Sequence, residues 1–385
     1  MTASATDVVR GVAGYGLPGA APTLPQAALD EKSWDAVLLR VSGDRLTGHL
    51  VHALDDGAFM ANDDQHAAAV QVHERALAVD LVLERLLLTT MRQLDAANIP
   101  ARVLRGPAVA HSVYLEPGLR SFADVDLLVA SRDYDAALAM LCTHGARRRY
   151  EEPRKGFGRR FGKGVCLEIP GGLGLEIDLH RTFVAGPFGL AVDTDALFES
   201  SAKFLLGGQE LYGLDPEARF LDSCFHAALG RKQPRLVALR DVAQMTLCSP
   251  LDVDQVRERC RAWRCGVVVQ RAIDLAWGAF ALEDTTEVVR WARSHECSLF
   301  ERRALHAYVG SDRSYARQTV AGLHAVRGVR DKARYATALL VPNRAYLRMR
   351  EGSYRRRVRR ALRLFREESR RQASGGVYVR SSPLA

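Results

Sequence analysis

Arg120-Ser121-Phe122-Ala123-Asp124-Val125-Asp126-Leu127-Leu128-Val129 is where the chain changes character. The residues before it repeat with a helical period, whereas Val125 to Val129 is a short apolar run that reads as a buried strand. Alternate side chains of a strand share a face. Asp124 and Asp126 therefore point one way, and Val125 and Leu127 the other. Two neighbouring carboxylates repel, so they need a cation between them or one must keep a proton. Hard oxygen ligands of this kind suit Mg²⁺. A second stretch, Gly174-Leu175-Glu176-Ile177-Asp178-Leu179-His180, alternates in the same way, with Glu176, Asp178 and His180 on one face. If it pairs beside the first, Asp178 completes a three-carboxylate cluster. Three acids holding two metal ions equip a site for in-line phosphoryl or nucleotidyl displacement. Acid–apolar alternation also describes an ordinary half-exposed strand, so spacing alone leaves both readings open.

Upstream, Ala101 to Arg105 is β-like and Gly106-Pro107 interrupts it before a short helix from Ala108 to Tyr114. A helix N-terminus after such a turn is a ready phosphate site. Further upstream, Trp34, Val37, Leu38 and Val41 recur at helical steps, as do Leu46, Leu50 and Leu54. One long helix is expected from about Asp63 to Asn98-Ile99-Pro100. Downstream, Arg132 to Gly145 reads as a helix. Short β candidates lie near Phe157–Phe161 and Val165–Ile169, the latter joined to the acidic strand through Pro170-Gly171-Gly172. From about Pro216 the chain reads helical, with helices expected at 220–229, 235–247, 253–264, 267–280 and 285–292.

The expected fold class is therefore α+β: a small mixed sheet embedded between N-terminal helices and a C-terminal helical region. The expected organisation is a disordered leader (1–25), an N-terminal helical region (26–100), an α/β domain (101–215), a helical domain (216–343), and a basic amphipathic helix with its tail (344–385).

Of the 385 residues, 48% are hydrophobic and 26% charged, which excludes a largely disordered chain or a fibre. The uncharged stretch from Gly11 to Leu29 carries Pro18, Pro22, Pro25 and four glycines, so it is neither a membrane span nor a compact signal segment. Seven cysteines, an odd number with no C-x-x-C pair, point to reduced thiols and a cytoplasmic setting. The net charge of +9 equals the excess of twelve arginines over three glutamates between Arg344 and Arg371. Tyr354, Val358, Leu362 and Phe365 would line one face of a helix there. Such a helix either docks on the domain with its arginines solvated or meets an anionic partner.

Leu104-Arg105-Gly106-Pro107, Tyr114 to Arg120, Asp124 to Val129 and Glu176 to His180 together resemble the bacterial uncharacterised nucleotidyltransferase family, of the DNA polymerase β-like nucleotidyltransferase superfamily. Phe225-His226, Arg240-Asp241 and Val341 to Leu347 extend the resemblance over about residues 25–370. Arg105 stands where that family usually has Lys, and Pro107 where many superfamily members have Ser.

The resemblance implies a metal-dependent enzyme that moves an NMP from an NTP, ATP first among them, to a hydroxyl or similar acceptor. Asp124 and Asp126 would bind both Mg²⁺ (or Mn²⁺) ions. Asp178 would bind one of them and help deprotonate the acceptor. Arg105 and the Gly106 turn would hold the triphosphate, with Arg120 either reaching a phosphate or buttressing the aspartates. His226, Arg240 and Asp241 would line an acceptor cleft, and His180 would either contact the acceptor or the nucleotide or cap its strand's hydrogen bonds. The acceptor implied is a small molecule or a peptide, with a place in peptide natural-product biosynthesis. Two other readings stand beside it: a nucleotidyltransferase acting on RNA, such as a tRNA-modifying toxin, and a non-catalytic nucleotide-binding or scaffold protein.

Overall fold

The computed structural model describes residues 4–350 except 172–173, 284–285 and 311–312, together with Arg359 and Arg363. The apolar stripe expected from Tyr354 to Phe365 lies outside the described residues. The fold is α+β, and among the described residues no helix is long and apolar enough to cross a membrane.

Four helices precede the sheet: α1 (Ala5–Gly14), α2 (Glu31–Asp44), α3 (Thr47–Asp55) and α4 (Asp63–Ala96). The α4 helix starts where Asn62 accepts a hydrogen bond from the Gln65 N–H, with Asp63 and Asp64 in its first turn. The mixed region follows as β1 (Ala101–Val103), α5 (Arg105–Val113), β2 (Val125–Val129), α6 (Tyr134–Thr143), β3 (Arg147–Arg148), α7 (Phe157–Phe161), β4 (Gly164–Glu168), β5 (Glu176–His180), α8 (Pro187–Ala191), β6 (Ala202–Leu206) and β7 (Gln209–Gly213). Helices α9 (Pro216–Leu229), α10 (Leu236–Cys248), α11 (Val253–Trp263) and α12 (Gly266–Phe280) come next. Five more, α13 (Glu287–Ser294), α14 (Leu299–Val309), α15 (Tyr315–Gly322), α16 (Val329–Leu340) and α17 (Arg344–Arg350), complete the described chain.

The strands form one seven-stranded sheet in the order β3-β4-β5-β2-β1-β7-β6. Fully buried β2 lies near its centre, antiparallel to β1 and parallel to β5. The two-residue periodicity sorts the side chains. Val125, Leu127, Val129, Ile177 and Leu179 join Leu83, Leu87 and Met91 of α4 and Leu141 of α6 in one core. Leu128 belongs to a second, larger core built mainly from the helices before and after the sheet. The acids of β2 and β5 thus face the seam between sheet and helices.

Three local expectations change. The first 25 residues are not an unstructured leader throughout. Ser4 caps α1, and Val8, Val9, Val12 and Ala13 are buried against α2, α10 and α12. Glycine and small residues hide this helix from a propensity reading, and tertiary burial stabilises it. Phe157–Phe161 is helical, not extended: Phe157 stacks on Tyr335 of α16, ring centroids 5.6 Å apart. The β6–β7 hairpin was not anticipated, although Gly207-Gly208 supplies the positive φ values (55° and 78°) of its turn.

Candidate functional site

In the parallel pairing of β2 with β5, Asp126 is aligned with Asp178 and Leu128 with His180. This register sets Asp126, Asp178 and His180 on one face, with one ligand atom from each lying within 4.8 Å of the others. His180 Nε2 is 2.5 Å from Asp126 Oδ1, and its Nδ1 is 3.3 Å from the Thr182 carbonyl oxygen. The other Asp126 oxygen accepts from Arg105 Nε (3.3 Å) and lies 3.2 Å from its Nη2. Arg105 Nη1 reaches Asp222 Oδ1 of α9 at 2.5 Å. A buried chain of contacts results, Asp222–Arg105–Asp126–His180.

The electrostatics follow from this order. Burial opposes the Asp126 charge, yet Arg105 and then His180 outweigh it and hold the carboxyl well below the usual carboxylate range. Burial also opposes the Arg105 charge, but Asp126 and Asp222 raise its pKa above the ordinary value. Burial lifts the Asp222 carboxyl against the pull of Arg105. Asp124, half-buried just before β2, is pushed up by burial and then by Asp126, with Asp178 adding to the effect. Asp124 is thus near enough to feel both acids, although it is not in the 4.8 Å group. Glu176 is drawn off to Arg149 and Cys166.

The loop that delivers Asp124 is held from behind. Asp80 of α4 accepts the Phe122 N–H at 2.9 Å, and burial raises its carboxyl to about 6. Arg105 (φ 30°) and Gly106 (φ 36°) are both left-handed, and the Leu104 N–H donates to the Asp126 carbonyl oxygen at 3.0 Å. Glycine tolerates this conformation and an arginine pays for it with about 1 kcal/mol, so the Arg105 backbone is held there by its surroundings.

Other expected site residues serve the scaffold. Arg120 grips Asp241 through Nε (3.3 Å) and Nη2 (2.7 Å), and the Tyr114 hydroxyl donates to the same carboxylate at 2.9 Å. All three are buried, so Arg120 joins the pre-strand loop to α10 and offers no phosphate contact in this arrangement. Arg240 donates to the Ala13 and Tyr15 carbonyl oxygens and so fixes α1. Arg240 and Asp241 are not on the wall of the cavity that holds Asp178. His226 is, with Arg105, Lys163, Asp178 and His180, and the cavity has a volume of about 370 Å³. His226 is exposed on that wall. A separate cavity of about 410 Å³ beside Tyr15 and Pro22 is lined by no carboxylate or cation.

Two aligned carboxylates with an imidazole beside them suit a divalent cation, and Asp126 keeps lone pairs beyond those its two partners use. Asp222 escaped the sequence reading. Its signal was an acid inside the apolar run Phe220-Leu221-Asp222-Ser223-Cys224-Phe225, where only a paired charge survives burial.

Residues 30–280 match the profile of a family described as "Uncharacterised nucleotidyltransferase". No curated protein matches the chain. Among solved structures, the chain is similar to an antigenic nucleotidyltransferase-like protein from Paracoccidioides brasiliensis. The identity is 16% and the TM-score 0.32, over 55% of this chain and 95% of that one.

Proposed function

The chain belongs to the uncharacterised nucleotidyltransferase family, and we propose that it moves an NMP from an NTP to a hydroxyl or similar acceptor on a small molecule or peptide. The observation that carries this reading is the in-register pair Asp126 and Asp178, closed by His180. Asp126, Asp178 and the neighbouring Asp124 would hold Mg²⁺ or Mn²⁺. When bound, such an ion neutralises charge on the transferring phosphoryl group and its leaving pyrophosphate.

The chain's own groups divide the remaining work. Asp178 lines the cavity, where it can take the proton of an acceptor hydroxyl as that oxygen attacks the α-phosphorus and the bond to pyrophosphate breaks. Arg105 and His180 orient Asp126 from either side. His226 and Lys163, on the same wall, would meet the acceptor or the nucleotide. ATP is the first NTP to test, and a peptide natural product the first acceptor class. An RNA acceptor drew its support from terminal arginines that lie mostly outside the described residues.

The test is incubation of the full chain with each of four α-labelled NTPs, Mg²⁺ or Mn²⁺, and an extract of small molecules and peptides. Labelled product with pyrophosphate release, absent for Asp178→Asn, is expected. Failure of all four NTPs to label any acceptor or release pyrophosphate would overturn the reading.

A further inference from the structure

The cavity that holds Asp178 has a wall that the proposed chemistry leaves unused. Helix α9 runs along it and sets the spacing. Asp222, near the middle of α9, holds Arg105 and through it the site acid Asp126. At the end of the helix, Arg313 Nη2 donates to the Leu229 and Gly230 carbonyl oxygens, at 2.7 and 2.6 Å. Gly230 also adjoins the His226 ring: a Cβ on this glycine would lie 3.5 Å from His226 Nδ1. His226, Gly230 and Arg313 all line the cavity. Asp222 and Gly230 are two turns apart, roughly 12 Å at the α-helical rise.

Arg313 is not neutralised there. Its buried Nη1 has no hydrogen-bond partner, and no carboxylate among the described residues pairs with it. The helix C-terminus attracts a cation but carries only partial charge. Gln318 stands one turn of α15 away. Its N–H donates at 3.1 Å to the carbonyl oxygen of Ser314, the residue after Arg313. Gln318 is only 7% exposed and lines the same cavity, yet its side-chain amide makes no hydrogen bond with any described residue. The helix that carries it is fixed from behind. A Cβ on Gly186 would lie 2.8 Å from the Gln318 carbonyl oxygen, and the Tyr335 hydroxyl donates to the Thr319 carbonyl oxygen at 2.6 Å. The acids on the wall are placed elsewhere. Asp178 belongs to the metal cluster, Glu152 accepts the Gly156 and Gly158 N–H groups, and Glu151 is exposed.

An unpaired guanidinium and an unpartnered amide, one helical turn apart on a cavity wall, suit a ligand oxyanion. The spacing chooses its source. An NTP must set its phosphates at the site acids, and Lys163 is the cation held beside them. Its carbonyl oxygen accepts the Arg181 and Thr182 N–H groups, and the next residue, Gly164, pairs with His180. Arg313 lies two turns of α9 further off. We propose that Arg313 and Gln318 bind a carboxylate of the acceptor, whose hydroxyl then reaches Asp178. Three extended residues span about 10 Å, so an acceptor with the reach of a tripeptide bridges the two ends. That the ligand is the acceptor rests on the nucleotidyltransferase reading, but the carboxylate subsite itself does not. No bond forms or breaks at the subsite; it selects which molecules present a hydroxyl to Asp178.

Two substitutions separate the charge from the packing. Arg313→Gln keeps a donor for the two α9 carbonyl oxygens and removes the positive charge. Gln318→Leu keeps an apolar side chain of similar size in the same place and removes the amide.

The test is NMR titration of the full chain, without NTP, with the tripeptide seryl-glycyl-glycine and with its C-terminal amide. The wild type should bind the free acid saturably and the amide about tenfold more weakly, the loss of one charge-assisted contact. Arg313→Gln should bind acid and amide alike, and Gln318→Leu should bind the acid about tenfold more weakly than the wild type does. Inorganic pyrophosphate with Mn²⁺, titrated in parallel, should bind all three proteins equally. Equal binding of acid and amide by the wild type would overturn the subsite, as would no saturable binding of the acid. Loss of pyrophosphate binding in Arg313→Gln would also overturn it, by moving Arg313 to the nucleotide. Should Arg313→Gln fail to fold, the wild-type ratio of acid to amide and the Gln318→Leu titration decide the matter. Acid-selective binding in a chain that releases no pyrophosphate from any NTP would leave the subsite standing and remove the nucleotidyltransferase reading. NTP turnover without acid selectivity would do the reverse.

Discussion

Asp126 and Asp178 stand opposite one another across the parallel pairing of β2 and β5, although 51 residues separate them in the chain. Everything catalytic in the proposed function turns on that alignment.

Asp178→Asn keeps the side-chain shape and removes the charge that Asp126 cannot replace. Mn²⁺ affinity and NTP-dependent pyrophosphate release should both fall, the latter by about 100-fold or more, since a metal-stabilised charge is worth several kcal/mol in the transition state. The thermal midpoint should stay within a few degrees of the wild type. Undiminished Mn²⁺ binding would remove Asp178 from the metal site.

Arg105→Ala leaves Asp126 and Asp222 buried without their shared cation. A loss of about 3–5 kcal/mol in urea unfolding is expected, the usual result of stripping one partner from a buried ion pair. Adding Asp222→Leu should recover part of it, because one of the abandoned charges is then gone. No recovery would mean that Asp222 is not a significant part of the penalty.

Arg240→Ala removes two charge-assisted bonds to the end of α1 and its following turn. Amide exchange over residues 5–14 should speed by about tenfold or more, with exchange in β2 unchanged. Equal acceleration in both would show that Arg240 supports the whole fold.

Asp80 gives a pH signature. Its folded carboxyl is raised to about 6 from an ordinary 3.8, chiefly by burial. The folded state therefore binds the extra proton between those values. That contribution is fully present below 3.8 and is lost as pH rises through 6. Asp80→Asn still accepts the Phe122 N–H through its amide oxygen. The stability of the variant relative to wild type should therefore increase from pH 4 to pH 7. Thermal midpoints of both proteins across that range are the measurement, and a constant difference would refute the assignment.

The acid-bearing faces were legible because a strand's two-residue period assigns side chains to faces from local spacing alone. Asp126, Asp178 and His180 could be placed on their faces, and so could Val125 and Leu127. The long α4 helix was legible from its repeat and the Asn98-Ile99-Pro100 stop. Other roles were not. Arg120 and Asp241 are 121 residues apart, and neither side chain announces its partner. The family resemblance implied Arg105 as a phosphate ligand. Only the approach of α9, bringing Asp222, commits its guanidinium inward. The α1 helix owes its order to burial against distant helices, which no window of its own small residues records.

From the chain alone came the α+β class and the face on which each acid sits, because both follow from interactions within a few residues. The tertiary structure decided which strand lies beside which, in what register, and which acids Arg105 and Arg120 pair with. Those depend on pairings between distant parts of the chain, Arg105 with Asp222 and Arg240 with Ala13 among them, where burial and charge compensation select one arrangement from many that local spacing permits.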